Sequence, residues 1–359
     1  MSDKNAGHSA PNKPDSRTGS STLGVRMDDV ARLAEVSRAT VSRVLTGTAP
    51  VSEETRERVH RAVRELSYVP NMNAQGLAGK ASDLIGLMLR DPANPAYGLL
   101  HAELQTAVAR RNLQLITTSP AVGERADSEL LALHRMLGMR VSGLMVATGV
   151  VSAHDLEPFL ASVPVISVGR VEDHPAIHAV SNDEDTNGAI IADQVASNGH
   201  RDVAVVIPSR TLSVNENRRG TAIAAHLDGR GVRVRRLTAD VFGSTDDRLD
   251  DVMTLARNHD ITAAMFPNDG RAVSCLERAR AEGLDVPGDL SVTGLDGATM
   301  GVELIGLATV RLSVKQVAER AVQLMTELLH DRASVPVRHE VIRGTFVPGT
   351  SLSAPSRTA

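Results

Sequence analysis

The stretch Val36–Gly47, VSRATVSRVLTG, repeats its Val-Ser-Arg opening and sets two arginines among small side chains. At about 100° per residue a helix gathers Val41, Val44 and Leu45 on one side. Arg38, Ala39, Ser42 and Arg43 then form a polar arc opposite, and Ser37 stands where an N-cap belongs. Small residues between the arginines let the backbone approach a surface closely while the guanidinium groups reach past it. A DNA major groove is such a surface, because Arg forks onto guanine O6 and N7 while Ser and Thr hydroxyls bind phosphate. In isolation, two arginines on an exposed helix face read as merely solvated. The residues just upstream change that reading. MDDVARLAEV, from Met27 to Val36, predicts a preceding helix with Val30, Ala31 and Ala34 where two helices cross closely, the arrangement of a helix-turn-helix. Glu35 occupies the turn, where a glycine would meet a left-handed backbone without strain.

Outward from this pair, SEETRERVHRAVRELSYV predicts a third helix, with Ser52 as N-cap, Glu53 and Glu54 in the first turn, and Val59, Ala62, Val63 and Leu66 on one face. Pro70 stops it. The glycine-rich NMNAQGLAGKAS that follows is too short to hold a helix unaided. From Asp83 the texture changes. Short apolar runs (DLIGLML, LQLITT, SGLMVAT, PVISV, DVAVVIP, ITAAMFP, LSVTGL) alternate with longer helical patterns, which predicts parallel sheets covered on both faces, two of them given the length. The expected division is a disordered tail over 1–25, a helical domain over 26–72, a linker over 73–82 and an α/β domain over 83–350. The chain should cross between two subdomains of that domain near 182, 298–312 and 340. Residues 351–359 have no apolar period and are expected to be loose.

Composition bounds the function. The 359 residues are 42% hydrophobic and 23% charged, which is ordinary for a globular protein. Net charge is -4, yet residues 1–25 carry +1 and 26–80 carry +2, so only the front of the chain is basic, and weakly. A nucleic-acid reading therefore rests on where particular arginines sit. One cysteine, Cys275, leaves neither an internal disulfide nor a CxxC site, and the first 25 residues contain no apolar core of a secretory signal. A cytoplasmic protein without a membrane span is expected. No GxGxxG, HExxH or GxSxG occurs, LAGKAS lacks the glycine and hydroxyl residue of a phosphate loop, and His134, His200 and His226 show no ligand spacing. His200 reads as a turn residue ahead of a strand. No catalytic residue, metal or cofactor is assigned.

MDDVARLAEVSRATVSRVL, VSEETRERVHRAVRELSYVPN and AQGLAGKAS closely resemble the N-terminal signature of the LacI/GalR transcriptional regulators. The likeness continues through SGLMVAT, NGHRDVAVVIP, DITAAMFPND and GLDVPGDLSVTGLDG, from about Arg26 to Thr350. It implies an N-terminal all-α helix-turn-helix domain plus an α/β periplasmic-binding-protein-like effector domain of two parallel-sheet subdomains. It further implies a homodimer on palindromic double-stranded operator DNA, with affinity modulated by a small-molecule effector such as a carbohydrate. The stretch after Gly349 has no leucine-zipper pattern, so a dimer without a C-terminal tetramer helix is expected. Arg38, Ala39 and Arg43 would face base edges and Thr40 and Ser42 phosphates. Asn71 at the end of the helical domain and Ala74 and Leu77 in the hinge segment would also contact DNA, Leu77 wedging into the minor groove.

Effector contact is implied for Asn94, Tyr97, Arg170, Asn268, Asp269 and Asp296, since amides and carboxyls suit paired hydroxyls. Asp269 and Asp296 also read as plain caps of following turns. Three departures bear on the ligand. The family's arginine three residues before Gly220 is Asn217 here, its aromatic pair after NP is Ala96 and Tyr97, and its GFDD is GLDG. Stacking on a sugar ring would then fall to Tyr97 and Phe242, and a smaller or more charged metabolite, or no effector at all, stays open beside a sugar. The competing class is a small-molecule binding protein whose helical front end does not read DNA.

Overall fold

The computed structural model describes residues 25–46, 49–68, 83–92, 94–120, 126–148, 150–240 and 248–356. The chain divides into two compact units, Met1–Ala78 and Gly79–Ala359. The boundary falls within 69–82, which lies outside the described residues.

Among the described residues the first unit holds three helices, α1 Met27–Leu33, α2 Arg38–Thr46 and α3 Glu53–Glu65. Their starts follow from side-chain caps. The Asp29 carboxylate accepts from the Arg26 amide at 2.9 Å, Ser37 Oγ accepts from the Thr40 amide at 3.1 Å, and Ser52 Oγ accepts from the Thr55 amide at 3.4 Å. Val30, Ala34, Val41, Val59, Ala62 and Tyr68 form the buried centre. Ala31 and Ala34, small and buried, let α1 and α2 cross, and the turn between them places Glu35 at φ 54°.

The second unit begins with β1 Leu84–Leu89, α4 Pro95–Ala109, β2 Gln114–Thr118, α5 Ala126–Gly138 and β3 Gly143–Ala147. It continues through α6 Ala153–Leu156, a 3-10 turn over Glu157–Ala161, β4 Val165–Val168 and β5 His178–Asn182. With β11, His339–Ile342, these strands make a wholly parallel sheet in the order β11-β5-β4-β3-β1-β2. Then α7 Glu184–Ser197, β6 Asp202–Pro208, α8 Val214–Gly229, β7 Arg233–Ala239, α9 Leu249–Arg257, β8 Ala263–Met265, α10 Asp269–Ala281 and β9 Ser291–Thr293 build a second parallel sheet, β7-β6-β8-β9. Buried clusters lie on both faces of each sheet. Continuous runs such as Ile85–Leu89 are fully inside, each large side chain contributing about 1.5–3 kcal/mol.

The chain passes between the sheets after β5, again between β10 (Thr309–Arg311) and α12 (Val314–Asp331), and once more between β11 and β12 (Thr345–Val347). β10 pairs with β12 antiparallel, and bridges Thr293–Ala308 and Asp296–Arg311 continue the second sheet. The run β7, RVRRLTA, was not among the apolar patterns because it is a charged edge strand.

The end of the chain departs from expectation. Residues 351–356 are not loose. Ser351 is buried, its Oγ donates to the Val292 carbonyl at 2.6 Å and accepts from the Ala308 amide at 2.9 Å, and its carbonyl accepts from the Val292 amide at 2.8 Å. His200 precedes β6 as read from sequence but is fully buried, bonding Thr262 Oγ1 at 2.8 Å and the Ser353 carbonyl at 2.9 Å. Polar pairing, invisible to an apolar period, fastens this segment.

Candidate binding cleft and basic helix

Between the two sheets of the second unit lies a cleft. One side is contributed by Asn94, Tyr97 and Leu100 of the α4 region, with Gly169 after β4 and Asn182 ending β5. The other comes from Ser213, Asn215, Glu216 and Arg219 at the start of α8, Asn268 before α10 and Asp296 after β9, over an apolar floor of Leu312, Val314 and Val317. This is the position a doubly wound sheet prepares, outside the carboxyl ends of its strands. Asn215 Nδ2 donates across it to the Gly169 carbonyl at 2.9 Å. The free volume inside is about 50 Å³, room for a handful of waters.

Charges on these walls are largely matched. Arg219 is buried and bidentate on Glu184, Nε to Oε2 at 2.6 Å and Nη2 to Oε1 at 2.9 Å, with Nη1 donating to the Pro267 carbonyl at 3.3 Å. Burial pulls the Arg219 pKa down, but Glu184 more than offsets it and the group ends above its ordinary value. Burial raises the Glu184 carboxyl, opposed by Arg219. The pair is placed by Gly188, whose missing side chain lets α7 meet α8. A Cβ there would sit 2.8 Å from Ala222 Cβ and 3.1 Å from the Ile223 nitrogen. Glu216 pairs with Arg271 at 3.1 Å.

Asp269 and Asp296 form a buried carboxyl pair. Thr309 Oγ1 donates to Asp269 Oδ1 at 2.6 Å, and the Ala298 amide donates to Asp296 Oδ1 at 2.9 Å. Burial raises Asp269, while burial and then the neighbouring Asp269 hold Asp296 well above the carboxylate range. Two carboxyls in one dry site favour the neutral form of one of them. Tyr97, desolvated against the floor, is pushed up to about 12.

Of the residues implied from sequence, Asn94, Tyr97, Asn268 and Asp296 come together on the cleft. Asn94 and Asn268 also cap α4 and α10, accepting from the Ala96 amide at 3.0 Å and the Arg271 amide at 2.8 Å. Asp269 stands behind Asp296. Arg170 is buried but turned to the Val151 carbonyl and to Glu172, 2.9 Å away. Asn217 donates to the Pro208 carbonyl at 2.8 Å. Neither is among the lining residues. Phe242, Asn71 and the hinge residues Ala74 and Leu77 lie outside the described residues. Sequence reasoning did not single out Arg219, Glu216, Asn215, Ser213 or Asn182. The polar loop SRTLSVNENRRG was the available signal, but not which of its side chains turn inward. Asn182 Oδ1 is buried without a protein partner.

In the first unit α2 buries Val41 and packs Val44 and Leu45 on the core, leaving Arg38, Ala39 and Arg43 exposed. Arg38 lies 3.8 Å from Asp28, an exposed pair of little energetic weight. Thr40 Oγ1 and Ser37 Oγ are 2.9 Å apart at the start of the helix.

A helix-turn-helix unit followed by a two-sheet cleft defines a DNA-binding transcriptional regulator with an effector domain. Residues 26–71 match the bacterial regulatory proteins, lacI family, and residues 192–352 match the periplasmic binding protein-like domain. The chain thus carries a lacI-type helix-turn-helix domain and a periplasmic binding protein-like domain. It is 29% identical over 338 residues to the HTH-type transcriptional regulator GalR of Escherichia coli (strain K12), covering 92% of this chain and 96% of that one. Catabolite control protein A of Priestia megaterium is 27% identical over 327 residues, covering 89% and 98%. The lac repressor dimer bound to operator and the anti-inducer ONPF superposes with a TM-score of 0.78 at 25% identity, covering 92% of this chain and all of that one.

Proposed function

We propose that this chain is a repressor that binds a palindromic operator as a homodimer, and that a small, uncharged, hydroxyl-rich effector in the cleft sets its DNA affinity. It works in the cytoplasm by binding and carries out no catalysis. The DNA half rests on α2, which keeps two arginines and Ala39 on its open face and nothing bulky between them. Arg38, Ala39 and Arg43 read base edges, Thr40 and Ser42 hold phosphates, and Asn71, Ala74 and Leu77 extend the contact, Leu77 into the minor groove. One such helix is too small for operator-level affinity, so two are carried on one dimer.

The effector half rests on the matched charges of the cleft. Arg219 is satisfied by Glu184 and Glu216 by Arg271, and burial favours the neutral form of Asp296, so a charged ligand would find no unmatched counter-charge here. Asn182 Oδ1 is the acceptor awaiting a ligand hydroxyl. A ligand of sugar size needs more than the present free volume. Its entry therefore parts the Asn215–Gly169 bond and moves one sheet against the other.

Fluorescence anisotropy on footprinted promoter fragments tests the DNA half. Arg43→Ala is expected to abolish sequence-specific binding, and substitutions at Ala39 to change the preferred sequence. Equal affinity of the unaltered protein for cognate and scrambled duplex at physiological salt overturns it.

A further inference from the structure

The loops that follow β3 and β4 carry a side-chain cluster that neither the DNA-binding face nor the cleft uses. His154 lies in α6, and Glu157 is three residues on at the start of the 3-10 turn. His174 comes from the loop after β4. Glu157 offers one oxygen to each histidine, Oε2 at 3.5 Å from His154 Nδ1 and Oε1 at 3.4 Å from His174 Nε2. The three donor atoms all lie within 4.8 Å of one another. An ion held tetrahedrally by nitrogen and oxygen at about 2.0–2.2 Å separates its ligands by about 3.3–3.5 Å. Each histidine nitrogen stands at that distance from one Glu157 oxygen, and all three donors lie within 4.8 Å, so a small side-chain adjustment brings them onto one ion. We propose that His154, Glu157 and His174 bind one divalent transition-metal ion, Zn²⁺ by preference, bridging the two loops.

The donor set supports that choice. Two imidazoles and one carboxylate suit Zn²⁺ over the hard, oxygen-seeking Ca²⁺ and Mg²⁺, and they leave a fourth position for water. The surroundings fix the backbone of both ligand-bearing loops independently of any ion. Ser152 Oγ accepts from the Asp155 amide at 3.2 Å and starts α6, and Arg170 ties the second loop to the Val151 carbonyl of the first. His339 Nε2 lies 3.1 Å from the carbonyl of His174 and steadies its backbone. His154 is exposed and free to turn the remaining distance onto the ion.

The competing arrangement is a hydrogen-bonded trio without metal. His174 Nδ1 accepts from the Ala176 amide at 3.3 Å, which leaves the ring proton on Nε2, facing Glu157. Ligation by Nε2 moves that proton to Nδ1 and ends the Ala176 contact. A long bond is exchanged for a metal bond, with no net proton gained or lost. Since Gly169 lines the cleft and Arg170 begins the same loop, an ion here stiffens one rim of the effector site.

Isothermal titration of Zn²⁺ into tag-free full-length protein, previously dialysed against EDTA, provides the test. One ion per chain is expected. The double variant His154→Ala/His174→Ala should bind at least tenfold more weakly, Glu157→Gln should also weaken binding, and His226→Ala, whose ring pairs with Asp193 elsewhere, should leave it unchanged. Circular dichroism establishes that each variant is folded, and Glu157→Gln serves alone if the double variant is not. Absence of saturable binding by the unaltered protein, or equal affinity in the folded variants, overturns the proposal and leaves a hydrogen-bonded trio only.

Discussion

The cleft holds its acids in two different states, and that difference can be measured. Glu184 is buried against a guanidinium, whereas Asp296 is buried against another carboxyl, so desolvation is answered by a partner in one case and by a proton in the other. A carboxyl whose folded pKa stands above its unfolded value of about 3.9 contributes stability below that value and loses it as pH rises through the folded pKa. The protein should therefore lose stability from this site as pH rises above about 4. Asp296→Asn, which cannot ionise, should show a flatter profile over the same range in thermal unfolding. Equal slopes would remove the neutral carboxyl from the account. Arg219→Met should behave differently, leaving Glu184 buried without its cation at a cost of about 3–5 kcal/mol in denaturant unfolding. The double variant with Glu184→Leu should recover much of that loss, because a buried pair is replaced by apolar packing. Asp296 was legible in sequence because it ends a strand run inside a recognisable motif. Arg219 was not, since Asn217, Arg218 and Arg219 differ only in helix phase, and phase decides which one meets Glu184.

At the scale of elements, backbone positions that need glycine decide where substitutions are tolerated. The change of GFDD to GLDG places Gly297 at φ 61°, with a built Cβ only 2.5 Å from Arg311 Cα, where the backbone of β10 crosses. Restoring an acid by Gly297→Asp should displace that strand and cost more than about 2 kcal/mol, read from thermal melts. Glu35 is the opposite case, a side chain held at φ 54° in the turn between α1 and α2. Glu35→Gly should stabilise the first unit by about 0.5–1 kcal/mol, seen in circular dichroism of the full chain as a later first transition. Helices with one apolar face and strands with unbroken apolar runs could be read directly, which is why α2, α3, β1 and β3 were evident beforehand. β7 carries three arginines, and β10, β11 and β12 are only three or four residues each, so neither period nor length marked them. The end of the chain escaped notice for a related reason. Its anchor is a buried imidazole, His200, lowered below the usual histidine range chiefly by burial and bonded to a carbonyl distant in sequence.

For the whole molecule, the proposed repression requires two recognition helices acting together, and the second unit is where the joining surface is expected. Met300 and Leu304, beside the short helix α11 (Val302–Ile305), are 96% and 94% exposed, and Ile305 adds to the same apolar patch. Large aliphatic side chains left this open on one short segment are the surface a second copy would cover, if the joining contact lies here. A symmetric dimer meets the patch with its own copy, so one substitution acts twice. Leu304→Glu would place two carboxylates face to face in that contact. The side chain touches neither the cleft nor any described strand pairing, so folding and effector binding should be preserved. Sedimentation should then show monomer where the unaltered chain is a dimer. Operator affinity should fall by about 10²–10⁴, the factor by which linking two modest sites exceeds one. Binding to a single half-site duplex should be unaffected, which separates loss of pairing from damage to α2. A variant that stays dimeric would place the joining surface elsewhere on the second unit, while one that is monomeric yet binds the full operator as before would show that a single helix-turn-helix is enough.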